Sequence, residues 1–349
     1  MKITSRRIQM QPKYWIVTGA NGHFANTLVR ELTKRNDKVG AFVLPGDRSD
    51  ALSDLLIRRF EGDVTKIDDL RRCIDAAEVD PKDICVVHAA GIVSIDFKEK
   101  DKIHKVNVEG TQNVATVCLE KGVGRMVYVS SVHAIKEVED QGCIQETDRF
   151  RPEDVEGLYA KSKAQATCNL LKLQEEGLPL TLVFPSGMIG PNDYGCSHMT
   201  QMVIDFGTGR LKAYVKGGYD FVDVRDVSEA LIKIVETRDA GDHYILSGEY
   251  ISVKEIVDVL AGVFPEIRKT MKLPLGLAKF SAPFAEIYYR ILKQKPLYTR
   301  YSLFTLASNS NFSHAKATED LAYRPRKATE SLRDMALWLI QQNRIKKGS

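Results

Sequence analysis

The chain has 349 residues, and 44% of them are hydrophobic, which is enough for one large or two unequal domains with a substantial core. Its 50 basic and 46 acidic side chains leave a net charge of +4, spread in short doublets such as Arg58-Arg59 and Arg71-Arg72. Because a nucleic-acid surface needs clustered basic residues or a binding motif, this dispersion predicts no nucleic-acid partner.

Cysteine spacing and hydropathy indicate the compartment. The six cysteines are scattered, with no C-x-x-C pair and no metal-ligand spacing, which predicts reduced thiols and no metal site. Residues 1–13 are basic and polar and lack the apolar core of a signal peptide. No apolar run reaches the roughly 18 residues of a membrane span, so we expect a cytoplasmic protein without an integral membrane segment.

Strand and helix patterns alternate through the first half of the chain. Short apolar, β-branched runs are separated by amphipathic segments, and residues 84–87 form a continuous apolar run typical of a central parallel strand. The predicted strands are 14–17, 38–44, 57–60, 84–87, 125–129 and 180–184, and the predicted helices are 24–35, 67–77, 103–121 and 159–175. This alternation predicts an α/β fold with a doubly wound parallel sheet, a Rossmann fold that binds a dinucleotide, over residues 1–185.

The pattern loosens after Pro185. Glycine-rich loops mix with shorter helices and one further strand near Tyr244 to Leu246. We expect residues 186–349 to form mainly a smaller C-terminal lobe that binds the substrate, with some segments returning to the first domain. An apolar stripe within residues 273–292 is more typical of a core segment or a subunit contact than of a pocket roof, and all three alternatives stay open.

A glycine-rich turn follows the first predicted strand. Between that strand and the first helix lies Thr18-Gly19-Ala20-Asn21-Gly22-His23-Phe24-Ala25. Gly19 permits a tight turn, Gly22 lets the backbone approach a pyrophosphate, and the helix N-terminus supplies free N–H groups. Ala25 is small enough for the helix to pack on the strand. The residues expected to contact a dinucleotide here are Gly19, Asn21, Gly22, His23 and Phe24.

A tyrosine and a lysine form the candidate catalytic pair. Tyr159 and Lys163 are four residues apart in a helical pattern and therefore share one helix face. A free tyrosine titrates near about 10, and a neighbouring cation favours its phenolate. Tyr159 can then exchange a proton with a substrate oxygen.

These motifs, in this order from Tyr14 to Trp338, resemble the extended short-chain dehydrogenase/reductase superfamily, that is, the NAD-dependent epimerase/dehydratase family. The segment Phe221 to Val227 is most similar to the branch that contains dihydroflavonol-4-reductases and 3β-hydroxysteroid dehydrogenases. The resemblance implies NAD or NADP as cofactor. It also implies a possible homodimer through the helices at 103–121 and 159–175.

The resemblance assigns expected roles to further residues. Asn107 matches the asparagine that supports the active site, and Ser131 matches the residue that hydrogen-bonds the reacting oxygen, with Ser130 as the alternative if the register is off by one. In the family's loop beside the nicotinamide, Phe184 replaces a frequent arginine. The resemblance also implies that Lys163 holds the ribose hydroxyls of the cofactor while hydride moves at its nicotinamide. The other expected cofactor contacts are Asp63, Val64, Ala89, Ala90, Gly91, Ser130, Tyr159, Pro185, Ser186, Gly187 and Met188.

The end of the second predicted strand leaves the cofactor preference open. An acid there favours NAD, and an arginine favours NADP. This chain has Asp47 followed by Arg48, just beyond the strand end. Asp47 favours NAD and Arg48 favours NADP, so the sequence does not decide between them.

Three functions compete. The leading one is a carbonyl reductase or alcohol dehydrogenase for a small, hydrophobic or aromatic substrate. The alternative is a nucleotide-sugar epimerase or dehydratase, for which Arg210, Arg225 and Arg300 are available to hold a diphosphate. The third, a regulator that senses the cofactor without turnover, fits poorly because such relatives usually lose the tyrosine and lysine that are present here.

Overall fold

The computed structural model describes residues 12–47, 50–93, 99–138, 142–237, 240–267, 270–273 and 308–345. Three features named above lie outside these ranges: Arg48, Arg300 and the apolar stripe from residue 274 onward.

A seven-stranded parallel sheet forms the centre of the molecule. Its strands are β1 (Tyr14–Thr18), β2 (Val39–Val43), β3 (Arg58–Glu61), β4 (Ile84–His88), β5 (Arg125–Val129), β6 (Leu180–Pro185) and β10 (His243–Leu246). Their order across the sheet is β10-β6-β5-β4-β1-β2-β3, and all neighbours are parallel. The order reverses between β1 and β4, which is where open α/β sheets bind ligands. The predicted doubly wound Rossmann fold is confirmed.

Helices cover both faces of this sheet. They are α1 (His23–Lys34), α2 (Ile67–Asp75), α3 (Lys100–His104), α4 (Thr111–Lys121), α5 (Leu158–Glu175), α7 (Val224–Glu236) and α9 (Ala315–Leu321). One hydrophobic core lies between the sheet and α2, α4 and α5, and a second lies between the sheet and α1, α7 and α9. Because both faces are covered, four of the strands, β1, β2, β4 and β6, are buried along their whole length.

The second half of the chain builds a separate core. Its elements are the strands β7 (Gly187–Ile189), β8 (Ala213–Val215), β9 (Gly218–Asp223), β11 (Glu249–Ser252) and β12 (Met271–Leu273) and the helices α6 (His198–Gly207), α8 (Val253–Val263) and α10 (Ala328–Gln341). Phe206, Phe264 and Leu332 are among its buried residues. The strand predicted near Tyr244 to Leu246 pairs with β6 and so forms an edge of the central sheet.

The predicted helix over residues 103–121 is interrupted. It begins earlier, as α3, and widens into a π-helical turn at Lys105–Gly110 before α4 continues to Lys121. The side chain of Asn107, within this turn, binds the backbone of Ile92 through both its oxygen and its nitrogen. A hydrophobic pattern does not register one extra residue in a turn, so the sequence predicted a regular helix.

The described ranges contain neither a membrane-spanning helix nor a metal-binding cluster of acidic, histidine or cysteine side chains. None of the helices there has the length and apolar character to cross a bilayer. No group of three or more His, Cys, Asp or Glu side chains in the same ranges is arranged to hold a metal ion. No disulfide joins any of the six cysteines, all of which lie in the described ranges, and Cys73, Cys85 and Cys118 are buried.

Candidate active site

The glycine-rich turn connects β1 to α1 at the carboxyl edge of the sheet. Gly19 has a φ of +67°, and a Cβ added there would lie 2.7 Å from the Cα of Ala90. The N–H of Gly22 donates to the Gly19 carbonyl over 2.8 Å and closes the turn. Among the described residues no side chain caps α1, and no acid lies in its first turn, so its N-terminal N–H groups are available to an anion.

The side chains around this turn have distinct surroundings. Phe24 is buried in the core beneath α1, so only its backbone can contact a cofactor. The Nε2 of His23 lies 3.0 Å from the Pro191 carbonyl, and burial lowers the pKa of His23. The Nδ2 of Asn21 donates to the carboxylate of Asp47 over 2.8 Å, which places the acid just beyond β2 beside the turn.

Two of the expected cofactor contacts, Asp63 and Val64, follow β3. Asp63 accepts hydrogen bonds from the backbone N–H and the hydroxyl of Thr65, both at 2.9 Å. Val64 is buried, and its carbonyl accepts from the Asn113 side chain over 3.1 Å. These hydrogen bonds fix the conformation of the loop at Asp63 and Val64, where the chain leaves the sheet.

The small residues after β4 run directly against the glycine turn. The backbone N–H groups of Ala89 and Ala90 both donate to the Thr18 hydroxyl over 3.2 Å. Gly91 is exposed, and a Cβ there would lie 3.3 Å from the Asn107 side-chain oxygen and 3.6 Å from Lys163 Nζ. Residues 89–91 therefore connect the turn to the catalytic candidates, with little room for added bulk.

Tyr159 and Lys163 lie in the first two turns of α5. Tyr159 is half-buried, whereas Lys163 is only 5% exposed. The Nζ of Lys163 donates to the Val129 carbonyl over 2.8 Å and lies 4.7 Å from the centre of the Tyr128 ring. Burial lowers the pKa of Lys163 to about 7, so both its cationic and its neutral form are accessible near neutral pH.

Asn107 links α5 to the loop after β4. Its side-chain nitrogen donates to the Ser162 hydroxyl over 3.0 Å, in addition to the two bonds with Ile92. The Ser162 hydroxyl donates in turn to the backbone carbonyl of Tyr159 over 2.7 Å. Asn107 therefore contacts the catalytic helix through Ser162.

The two serines after β5 face different partners. Ser130 is buried, and its hydroxyl lies 3.0 Å from that of Thr167 on α5. Ser131 caps the short helical turn Val132–Ala134, where its hydroxyl oxygen accepts from the N–H of His133 over 3.3 Å.

A cavity of about 200 Å³ opens beside this turn. His133 and Tyr219 stack on its wall at 5.6 Å, with the Tyr219 hydroxyl 3.2 Å from His133 Nε2, and the His133 ring meets the Tyr159 ring edge-on at 6.4 Å. Val132, Ile135 and Phe312 add apolar lining. Burial lowers the pKa of His133 to about 4, so its ring is neutral at neutral pH. Sequence reasoning missed this pair because its members are 86 residues apart.

The loop after β6 runs along the same edge. Pro185 is the last residue of β6, Ser186 is buried, and Gly187 and Met188 open β7. A Cβ on Gly187 would lie 2.6 Å from the Phe221 ring, so this position requires a glycine. Phe184, at the position where relatives often have arginine, is fully buried and stacks on Phe150 at 5.2 Å.

The chain is similar to known proteins over nearly its whole length. The model of the NAD dependent epimerase/dehydratase family matches residues 15–247. The chain therefore belongs to this family. It is 27% identical to sterol demethylase protein B of Methylococcus capsulatus, over 95% of this chain and 99% of that protein. It is 28% identical to a putative dihydroflavonol 4-reductase of Synechocystis, over 97% and 99%. The crystal structure of gox2253 superposes with a TM-score of 0.80 at 29% identity, covering 96% of this chain and 100% of that one.

The glycine turn has the features that a dinucleotide of this family requires. A Cβ would fill the cradle at Gly19, and the uncapped start of α1 offers N–H groups without a competing acid. The protein is an NAD(P)-dependent oxidoreductase of the extended short-chain type.

Proposed function

We propose that the protein interconverts a carbonyl and an alcohol on a small, hydrophobic or aromatic substrate, with Tyr159 as acid and base. The observation that carries this proposal is the position of Tyr159, which lies on α5 one turn before buried Lys163 and edge-on to His133 in the cavity wall. A proton donor beside a cavity whose wall includes Val132, Ile135 and Phe312 suits a substrate whose only strongly polar reacting atom is one oxygen.

Four residues of this chain would have distinct roles in the reaction. Tyr159 gives a proton to the substrate oxygen during reduction and takes it back during oxidation. Lys163, held by the Val129 carbonyl, stabilises the phenolate in its cationic form and contacts the ribose hydroxyls. The Ser131 hydroxyl donates to the same oxygen, and Asn107 fixes the start of α5 through Ser162. When bound, the nicotinamide supplies the two-electron redox step.

The cofactor would lie along the carboxyl edge of the sheet, at the ends of strands β1 to β4 and β6. Its pyrophosphate would meet the N–H groups of residues 22–24, and Asp63 and Val64 would border the adenine. The loop from Pro185 to Met188 would lie on the nicotinamide side. This arrangement is supported by the uncapped helix terminus and by the lack of room for side chains at Gly19 and Gly187.

The two adjacent serines allow a matched test of this assignment. We expect Ser131→Ala to lower kcat by about 10²- to 10³-fold, because a donor to the developing oxyanion is lost. Ser130→Ala removes the buried bond to Thr167 and should cost about 1 kcal/mol of unfolding free energy, with kcat close to wild type. Steady-state kinetics and thermal denaturation of both variants check this. The reverse pattern would assign the role to Ser130.

The nucleotide-sugar alternative shares the family and the fold. Two of its three proposed arginines, however, have other partners: Arg225 binds Asp223 and Asp334, both at 2.7 Å, and Arg210 binds Asp205 at 2.8 Å. The described lining of the cavity includes no lysine or arginine, whereas Glu137, Asp154 and Glu156 contribute carboxylates. Because like charges repel, this lining disfavours a diphosphate.

A binding and turnover panel tests the proposed function. The protein is titrated with NADH and NADPH by fluorescence and thermal shift, and is then assayed with aromatic aldehydes, dihydroflavonols and 3-keto or 3-hydroxy sterols. Dihydroflavonols follow the name of the Synechocystis relative, and sterols as a class follow that of the Methylococcus capsulatus relative. We expect turnover of at least one carbonyl or alcohol and no thermal shift with nucleotide-sugars. Conversion of a nucleotide-sugar without added reductant, and of none of the carbonyl compounds, would establish the epimerase or dehydratase instead.

A further inference from the structure

His88 is a buried titratable side chain that the proposed chemistry does not use. It ends β4, between the glycine turn and the π-helical turn that carries Asn107. Its Nδ1 lies 2.7 Å from the Thr18 hydroxyl oxygen, and its Nε2 lies 2.9 Å from that of Thr111. The ring is fully buried and stacks on Tyr128 at 5.6 Å.

The partners of Thr111 determine which nitrogen of His88 carries the proton. The Thr111 hydroxyl lies 2.7 Å from the backbone carbonyl of Asn107, which can only accept, so its single proton is used there. The Thr111 oxygen must then accept from His88, and Nε2 is the protonated nitrogen. Burial lowers the pKa of His88 to about 3, so the ring is neutral and Nδ1 is an acceptor.

The same reasoning orients the Thr18 hydroxyl. Its oxygen accepts from the N–H groups of Ala89 and Ala90, and its proton is directed to His88 Nδ1. Thr18 is therefore saturated, with two bonds accepted and one donated. It belongs to the glycine turn itself, since it is the last residue of β1, directly before Gly19.

The bonds continue to the catalytic helix in the same direction. The Asn107 side-chain nitrogen donates to Ser162, and the Ser162 hydroxyl donates to the Tyr159 carbonyl. From Thr18 to Tyr159, every side-chain donor points away from the glycine turn. Hydrogen bonds aligned in this way polarise one another, and in a buried setting the loss of one leaves an unpaired group.

We propose that this chain of residues, Thr18–His88–Thr111–Asn107–Ser162–Tyr159, holds Tyr159 in register with the cofactor turn, and that His88 is the positioning residue at its centre. It does not conduct protons, because Asn107 enters through its backbone carbonyl and leaves through its side-chain amide. The inference rests on the proposed function, in which Tyr159 is the acid and base.

The protonation of His88 is tested on the cofactor-free wild-type protein. In protein labelled with ¹⁵N-histidine, the nitrogen chemical shifts distinguish protonated from bare ring nitrogens, and His88→Asn identifies the signal. We expect a neutral ring with the proton on Nε2 at neutral pH. A proton on Nδ1 or a cationic ring would overturn the directed chain.

The positioning role is tested by kinetics with a substrate from the panel. Thr111→Val and Ser162→Ala should each lower kcat by about tenfold, with the dissociation constant of NAD(P)H within about twofold of wild type. Because both interrupt one chain, the double variant should lose little more than the worse single variant. Thr33→Val is the control, since its hydroxyl makes the same 2.7 Å bond to a helix carbonyl, that of Val29, away from the site.

Two replacements of His88 separate the contribution of its hydrogen bond to Thr18 from that of its hydrogen bond to Thr111. The Gln side chain reaches as far as Nε2 and can still donate to Thr111, whereas the Asn side chain reaches only as far as Nδ1 and can bond Thr18 alone. We expect His88→Gln to retain more of kcat than His88→Asn. If Thr111→Val and Ser162→Ala match the Thr33→Val control in kcat, or if their effects multiply in the double variant, the inference is wrong. Full activity of a Tyr159→Phe variant would instead overturn the proposed function, whatever the protonation of His88.

Discussion

Replacing Tyr159 with Phe is expected to lower kcat by about 10²- to 10⁴-fold, which is the range that a positioned proton donor contributes. The change removes one oxygen and leaves the ring that meets His133 edge-on. The dissociation constants of NADH and NADPH should therefore stay close to wild type. Steady-state kinetics with a panel substrate, combined with fluorescence titration of the reduced cofactor, measures both quantities.

Lys163→Met separates the two roles proposed for the pair. Lys163 would hold the ribose as well as stabilise the phenolate, so its loss should lower kcat and also weaken cofactor binding. Because the two residues act as a unit, the double variant should be little slower than Tyr159→Phe alone. Tyr250→Phe is a suitable control, since this exposed tyrosine lies on β11. If Tyr159→Phe retained the activity of that control, Tyr159 would not be the acid and base.

The fold could be predicted because its signals are local. Continuous apolar runs such as Ile84 to Val87 indicate buried parallel strands, and the turn at Gly19 needs a residue type that the sequence displays directly. The spacing of Tyr159 and Lys163 is likewise local, since one helix turn places both on a common face. These features require no knowledge of the rest of the chain.

The remaining features depend on contacts between distant segments. His133 and Tyr219 meet across 86 residues, and Asn107 and Ser162 meet across 55. Which of the two serines after β5 faces α5 is decided by Thr167, a residue that no motif includes. The role of Tyr244 to Leu246 as an edge strand is set by its pairing with β6. Such partners follow from the assembled sheet, whereas a motif specifies only its own residues.

Gly19 is the position where a single methyl group should do the most damage to cofactor binding. In Gly19→Ala the new Cβ would lie 2.7 Å from the Cα and 2.9 Å from the nitrogen of Ala90, and neither backbone atom can rotate away. The φ of +67° adds strain for any residue with a Cβ. We expect the free energy of unfolding to fall by about 2–3 kcal/mol and the affinity for NAD(P)H to fall at least about tenfold.

Gly122→Ala separates strain from steric overlap. Gly122 ends α4 with a φ of +68°, almost the value at Gly19, and a Cβ there would meet no atom within 4 Å. This variant should lose about 1 kcal/mol of unfolding free energy through backbone strain alone and bind the cofactor as wild type does. Chemical denaturation and fluorescence titration of the two variants side by side give the comparison. Equal effects on stability with unchanged cofactor binding in both would mean that the approach of Gly19 to Ala90 does not shape the cofactor site.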